Sequence, residues 1–376
     1  MRSRGAAALL VCLPMLGACS LFPLGEGEQA PQRVAVANGY GKAVAAITTE
    51  AWSERPDLAA NVILVEPDGS WTTTATAGVR MPTASMSGSR LVVPDAEGQV
   101  VIGPNSSRRL DRDGDSDLGE WSGQAGSWHF SVLNDGTRGQ DDGRYFFNIA
   151  AWDGGEELVE GEIDQDALGF AACGDDLYAV TRPWRLGDDE LTLTEVAVEE
   201  DEIVTRSVPV AALAGSKPRL AGAACLGAKN DRAMQKGPGG ELALLAEKRG
   251  VPELMLVDIA TATARTIKLP ELTDAYLLRI VGAVGDDVLV DTHDEIVRVT
   301  RTGRVTSVVE RSEQSFTWSV GVSGEELLVW EVEDADHVVR WVSADGDETS
   351  AIRVSGVQEH LGHVEENVFG APVSLR

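Results

Sequence analysis

The feature that most constrains this chain is a tight turn that recurs seven times along it, at uneven intervals whose count matters more than their mean. Short apolar, β-favouring runs flank turns at Asp68-Gly69, Pro104-Asn105, Gly154-Gly155, Glu200-Asp201, Thr261-Ala262, Thr302-Gly303 and Asp345-Gly346. Around the first turn, residues 62–65 and 71–76 read as the two strands of a hairpin. Gly69 and Gly346 are 277 residues apart, six intervals averaging about 46 residues. A second phase, Gly-x-x-apolar, lies upstream of several hairpins: Gly88 to Leu91, Gly174 to Leu177, Gly285 to Val288 and Gly324 to Leu327. Two turns per period require four strands per unit. Helical periodicity is confined to two short stretches, 208–213 and 230–235. The expected fold is therefore all-β, a β-propeller of seven four-stranded blades, with eight blades as the alternative. A many-stranded sandwich would not carry a fixed two-turn repeat along the whole chain.

Ring closure has two readings. Residues 361–368 match residues 281–288 position by position, so the C-terminus is expected to carry the first two strands of a blade. Residues 34–47 are able to supply the same strands. Either the termini share one blade, which removes an open sheet edge, or an incomplete eighth unit exists.

The N-terminus carries a different kind of information. Arg2 and Arg4 precede an apolar run over residues 6–15, which is too short for a membrane span and has the layout of a secretory signal. Leu16-Gly17-Ala18-Cys19 follows, and it resembles the lipobox of bacterial lipoproteins. The resemblance implies cleavage before Cys19 and lipidation of its sulfur, whose thiolate is the nucleophile. Each acyl chain (palmitate, for example) contributes about 0.8 kcal/mol per buried methylene, so the lipid would hold the protein on a membrane without a spanning helix. The expected organisation is a signal peptide over 1–18, a tether over 19–33 and a propeller over 34–376. Ser20 after the acylated cysteine is compatible with an outer membrane, if the cell has one.

The formal charge is −28, and loss of Arg2 and Arg4 would make it −30. A field of that sign repels phosphate backbones, and the sequence shows no compensating basic stripe, so nucleic acid is not an expected partner. The acids are dispersed through loops and strand ends, as on a solvated surface; a cation or a basic partner is the other reading. With Cys12 in the signal and Cys19 acylated, Cys173 and Cys225 remain, and outside the cytoplasm a disulfide is the economical expectation. Both end the pattern Leu-x-x-Ala-Ala-Cys and would occupy equivalent strands of neighbouring blades. Two buried free thiols are the alternative, because equivalent inner strands tend to sit at the limit of the roughly 7 Å between Cα atoms that a disulfide spans.

One segment suits a metal. Asp111, Asp113, Asp115, Asp117 and Glu120 place oxygens at alternating positions that are able to fold around a hard cation. The first five residues resemble an EF-hand loop and the Asp-rich loops of FG-GAP propellers, which implies calcium on Asp111, Asp113 and Asp115 with help from Asp117 or Glu120. Ser116 and Ser122 depart from the EF-hand pattern, and the other blades lack the motif. A solvated acidic turn is the competing reading.

In a propeller, connections between second and third strands share one face with the connections between blades. Residues 52–57, 134–143, 182–185 and 333–337 are expected to form the longer loops there. They carry Trp52 with Arg55 and Trp184 with Arg185, residue types favoured as interface anchors for a partner protein or a glycan. Each tryptophan packing on its own blade is the plainer alternative.

No Gly-x-Ser-x-Gly elbow, His-Glu-x-x-His pair or phosphate-cradling loop occurs. The five histidines, His129, His293, His337, His360 and His363, read as structural. Asp141-Asp142 and Asp188-Asp189 are sequence neighbours and give no opposed pair for glycoside hydrolysis. No catalytic residue is assigned. The expected function is binding or scaffolding at the cell envelope with a protein partner; a carbohydrate-active propeller enzyme is the rival. Converging carboxylates with a His or Arg at the channel mouth would favour the rival.

Overall fold

The computed structural model describes residues 39–51, 61–76, 83–113, 116, 118–137, 145–182, 190–211, 215–227, 240–275, 277–312, 315–333, 336–357 and 367–376. The chain divides into residues 1–32 and a body of residues 33–376. Within that body the strands form seven antiparallel sheets arranged as a seven-bladed β-propeller. Blade 1 comprises residues 45–75 with 367–374, followed by blade 2 (85–111), blade 3 (118–163), blade 4 (166–210), blade 5 (217–268), blade 6 (279–310) and blade 7 (315–354). In blades 2 to 7 the strands follow one another in chain order from the innermost outward.

All seven turns read from the sequence join the third strand of a blade to its fourth, and the Gly-x-x-apolar turns join first to second. Left-handed backbone explains their composition. Gly346 sits at φ 93°, a conformation that costs a residue without Cβ nothing. Glu200 and Asp201, at φ 49° and 64°, reach the same region with side chains, Asp being among the residues that tolerate it best. Of the two candidate helical stretches, 208–210 is the end of the strand Glu202–Val210, and 230–235 lies outside the described residues. Side-chain alternation over that outer strand was too weak to separate the two periods.

Each of the seven seams between neighbouring blades holds its own apolar cluster. The seam of blades 1 and 7 buries Trp330 and Trp341, while among the described residues that of blades 2 and 3 buries Val92, Val101, Leu110 and Trp152, with Leu158 packed against them. Polar contacts cross the seams at the sequence period. Arg108 Nη2 of blade 2 donates to the Gly154 carbonyl of blade 3, 46 positions on, and Arg298 Nη1 of blade 6 reaches Asp345 Oδ1 of blade 7, 47 positions on.

The termini share blade 1, which decides between the two closure readings. Its innermost position is filled by Asn367–Phe369 and Val373–Ser374, both paired with the N-terminal strand Ala45–Ala51. The expectation that the C-terminus brings two strands is corrected: it brings one interrupted strand, and the N-terminal strand takes the second position. Trp341 Nε1 donates to Ser374 Oγ at 3.2 Å, and the Arg376 guanidinium lies 3.7 Å over the Trp341 ring.

Cys173 and Cys225 form a disulfide with Cα atoms 5.5 Å apart. They stand on the innermost strands of blades 4 and 5, as the shared pattern predicts. The strands come within bonding distance because their small residues let the backbones approach: a Cβ on Gly169 would lie 2.7 Å from the Gly222 backbone. No helix of the described residues is long and apolar enough to cross a membrane.

Candidate functional face at the mouth of blades 3 and 4

Antiparallel order places the second-to-third connections and the interblade connections on one face. The long connections 52–60, 138–144 and 183–190 emerge there, whereas the opposite face carries tight turns except at residues 227–240 of blade 5. Residues 333–337 are not a long loop, since the second strand of blade 7 runs to Glu333 and the third begins at Asp336, the two pairing antiparallel up to Glu333 opposite Asp336.

Where blades 3 and 4 meet on this face, strand ends gather carboxylates, amides and a guanidinium. The innermost strand of blade 3, Leu118–Ala125, bulges between Gly119 and Trp121, so Glu120 has no partner in the ladder. A bulge re-aims the side chain it carries. Burial pushes the Glu120 carboxyl above its ordinary range; a hydrogen bond with Asn134 opposes the shift and the negative charge of Asp166 adds to it. Asp166 opens the innermost strand of blade 4, is buried, and takes a 2.5 Å hydrogen bond from Arg182 Nε. Beside them, Asn148 Nδ2 donates to Ser116 Oγ at 2.7 Å, and Ser116 Oγ donates to Asp135 Oδ1 at 3.3 Å. The cluster presents a carboxyl whose ionisation is disfavoured by burial, a paired carboxylate and two amides. Such groups suit hydroxyl-rich or amide ligands, which exchange hydrogen bonds with both donors and acceptors.

The segment read for calcium is divided between two blades. Asp111 ends the outermost strand of blade 2, is exposed, and lies 3.7 Å from Arg109 Nε. The Asp113 backbone N–H donates to Glu160 Oε1 at 3.0 Å. Glu120 belongs to the cluster at the mouth of blades 3 and 4, while Asp115 and Asp117 lie outside the described residues. Among the described residues no group of three or more His, Cys, Asp or Glu side chains is placed to hold a metal. Trp52, Arg55, Trp184, Arg185 and Cys19 also lie outside the described residues.

Sequence reading missed Asn134, Asp166 and Arg182, which come together only when blades 3 and 4 stack; the bulge at Glu120 has no local signature. It also missed a serine pair on His129. Ser85 Oγ lies 2.8 Å and Ser122 Oγ 3.3 Å from His129 Nε2. Ser85 belongs to blade 2 and the other two to blade 3. Burial lowers the His129 pKa from 6.5 to about 3, against a backbone hydrogen bond that opposes the shift, which makes it a feeble proton acceptor, and among the described residues no side chain bonds its Nδ1 to orient it as a base. The trio therefore stitches a seam. His293, at φ 80°, accepts from Arg311 on Nε2 at 3.2 Å, and His337 is fully buried, so both have structural partners; His360 and His363 lie outside the described residues.

No protein-family model matches the chain, and no curated protein sequence matches it. Solved structures share its fold. A protein from Lactobacillus plantarum matches with 12% identity and a TM-score of 0.50, over 83% of this chain and 97% of that one. Apo AztD from Citrobacter koseri matches with 12% identity and a TM-score of 0.49, over 88% of this chain and 97% of that one. TolB from Acinetobacter baumannii matches with 9% identity and a TM-score of 0.44, over 90% of this chain and 67% of that one. At these identities the likeness is one of fold.

Proposed function

We propose that this chain is an extracytoplasmic lipoprotein whose propeller is a binding module, engaging another component of the cell envelope through the face of long connections. The observation that supports it is the asymmetry of the two faces: the widest intervals between second and third strands, after Ala51, Thr137 and Arg182, all open on one. Variable-length loops on a rigid scaffold are where binding residues concentrate. The disulfide between Cys173 and Cys225 favours a compartment outside the cytoplasm, in keeping with the lipobox-like segment ending at Cys19. Trp52, Arg55, Trp184 and Arg185 are the proposed anchors for the partner. Calcium on Asp111, Asp113 and Asp115, with help from Asp117, would stiffen the connection between blades 2 and 3; Glu120 stands apart from it in the cluster at the mouth of blades 3 and 4.

Two measurements test this reading. Mass spectrometry of the protein extracted from native membranes is expected to find Cys19 amino-terminal and acylated; an unmodified thiol would remove the anchor. Affinity capture is expected to retain an envelope protein that is lost when Trp52, Arg55, Trp184 and Arg185 are replaced by alanine. Capture that is indifferent to those changes would remove the rim.

A second reading, an enzyme acting on glycans, draws support from Glu120, Asp166 and Arg182, the converging set at the blade mouth. Turnover of an oligosaccharide abolished by Glu120→Gln would establish it. Absence of turnover across envelope glycans would leave the cluster to ligand binding.

A further inference from the structure

Blade 5 departs from the charge of the chain. Five of the six lysines fall between residues 217 and 268, where nine cations face five acids in a chain of net charge −28. On the face of long connections, Lys217 stands opposite Glu247 on the next strand, Lys268 stands opposite Glu253, and Lys248-Arg249-Gly250 makes the turn into Val251. The acids in this group are committed: Glu247 pairs with Arg219, and Glu253, 2% exposed, takes the Ser216 hydroxyl at 2.7 Å. Lys217, Arg249 and Lys268 are exposed and make no ion pair with a described residue. Glu271 and Asp274, on the connector to blade 6, are the exposed acids nearest in sequence.

Apolar side chains accompany these cations. The innermost strand of blade 5 leaves its ladder between Pro218 and Ala223, and Leu220 within that bulge is 66% exposed. Leu277, just before the innermost strand of blade 6 and on the same face, is 44% exposed. Only Val208 joins them as an exposed large hydrophobic residue among those described.

We propose that this corner of blade 5 docks on the anionic membrane surface, with Lys217, Arg249 and Lys268 at the phosphate headgroups and Leu220 and Leu277 at the acyl boundary. A lipid interface accepts both classes of side chain at once. The acidic remainder of the chain orients the molecule, because an anionic surface repels the other blades while their charge is screened beyond about 8–10 Å. The inference rests on the chain being held at a membrane, and its test is independent of the anchor.

The full chain carrying Cys19→Ser, which has no acylation site, is floated with vesicles of phosphatidylcholine, with and without phosphatidylglycerol. Binding is expected only with phosphatidylglycerol and is expected to weaken with salt. Lys217→Ala, Arg249→Ala and Lys268→Ala together should lower affinity on the order of 100-fold, at roughly fivefold per cation. Leu220→Ser with Leu277→Ser should weaken binding while preserving its salt dependence. These positions are exposed, and circular dichroism verifies the fold. Equal binding to both vesicles, no binding to either, or self-association of the chain through this corner would overturn the proposal. Acylation of Cys19 in the native protein is measured separately, so failure of the anchor and failure of the docking surface are told apart.

Discussion

Trp330 Nε1 donates a 2.9 Å hydrogen bond to His337 Nδ1, and the His337 ring meets Phe369 of the closing strand edge-on at 5.7 Å. The imidazole accepts on Nδ1, so its proton resides on Nε2, and a second proton would set two donors against each other inside the closure seam. Burial lowers the His337 pKa from 6.5 to about 4, against the opposing charge of Asp336.

The pH dependence follows from that shift. Between pH 6.5 and about 4 the unfolded chain binds a proton at this site that the folded chain refuses, so stability falls as pH falls. Above that window the site contributes no pH dependence. The loss saturates on the order of 3 kcal/mol for His337, and His129 extends the acid limit to about pH 3. Urea denaturation across this range is expected to show His337→Gln losing less stability on acidification than the parent protein. Identical slopes would show that the seam is insensitive to His337.

Breaking the Cys173–Cys225 bond should cost roughly 2–4 kcal/mol, because it closes a long loop in the unfolded chain. The double variant Cys173→Ser, Cys225→Ser is expected to unfold at lower urea and to be indifferent to reductant, whereas the parent protein responds. Equal midpoints for parent and variant would contradict the pairing.

Gly321 faces the Pro372 carbonyl of the closing segment so closely that a Cβ would collide with it. Gly321→Ala should therefore destabilise the ring by roughly 1–3 kcal/mol or more. Gly324→Ala, where a Cβ meets nothing within 4 Å but φ is 62°, separates backbone strain from collision. Calorimetry is expected to rank Gly321→Ala as the more damaging.

Glu120→Gln removes a carboxyl whose ionised form is disfavoured by burial. Stability at neutral pH is expected to rise, and the gain should shrink as pH falls through the titration of Glu120 in the parent protein. A loss of stability would show that the Glu120 charge is needed by its neighbours.

The architecture was legible because it is written locally. Turn residues such as Gly346 and Glu200-Asp201 need a left-handed backbone wherever they occur, and their spacing counts the blades without any long-range contact. The cysteine pattern was legible for the same reason, since Cys173 and Cys225 occupy one register of a repeated strand.

What the sequence by itself determined was the repeat, with four strands per unit. From that short-range periodicity seven blades are favoured over eight and a Cys173–Cys225 bond over two free thiols, and the tertiary structure decided both. Tertiary structure alone decided that the C-terminus gives one interrupted strand to blade 1, and that Glu120, Asn134, Asp166 and Arg182 meet. It also decided that Ser85 reaches His129 across a seam. These depend on how neighbouring sheets stack and where a ladder bulges, and packing between surfaces remote in sequence leaves no local periodicity to read.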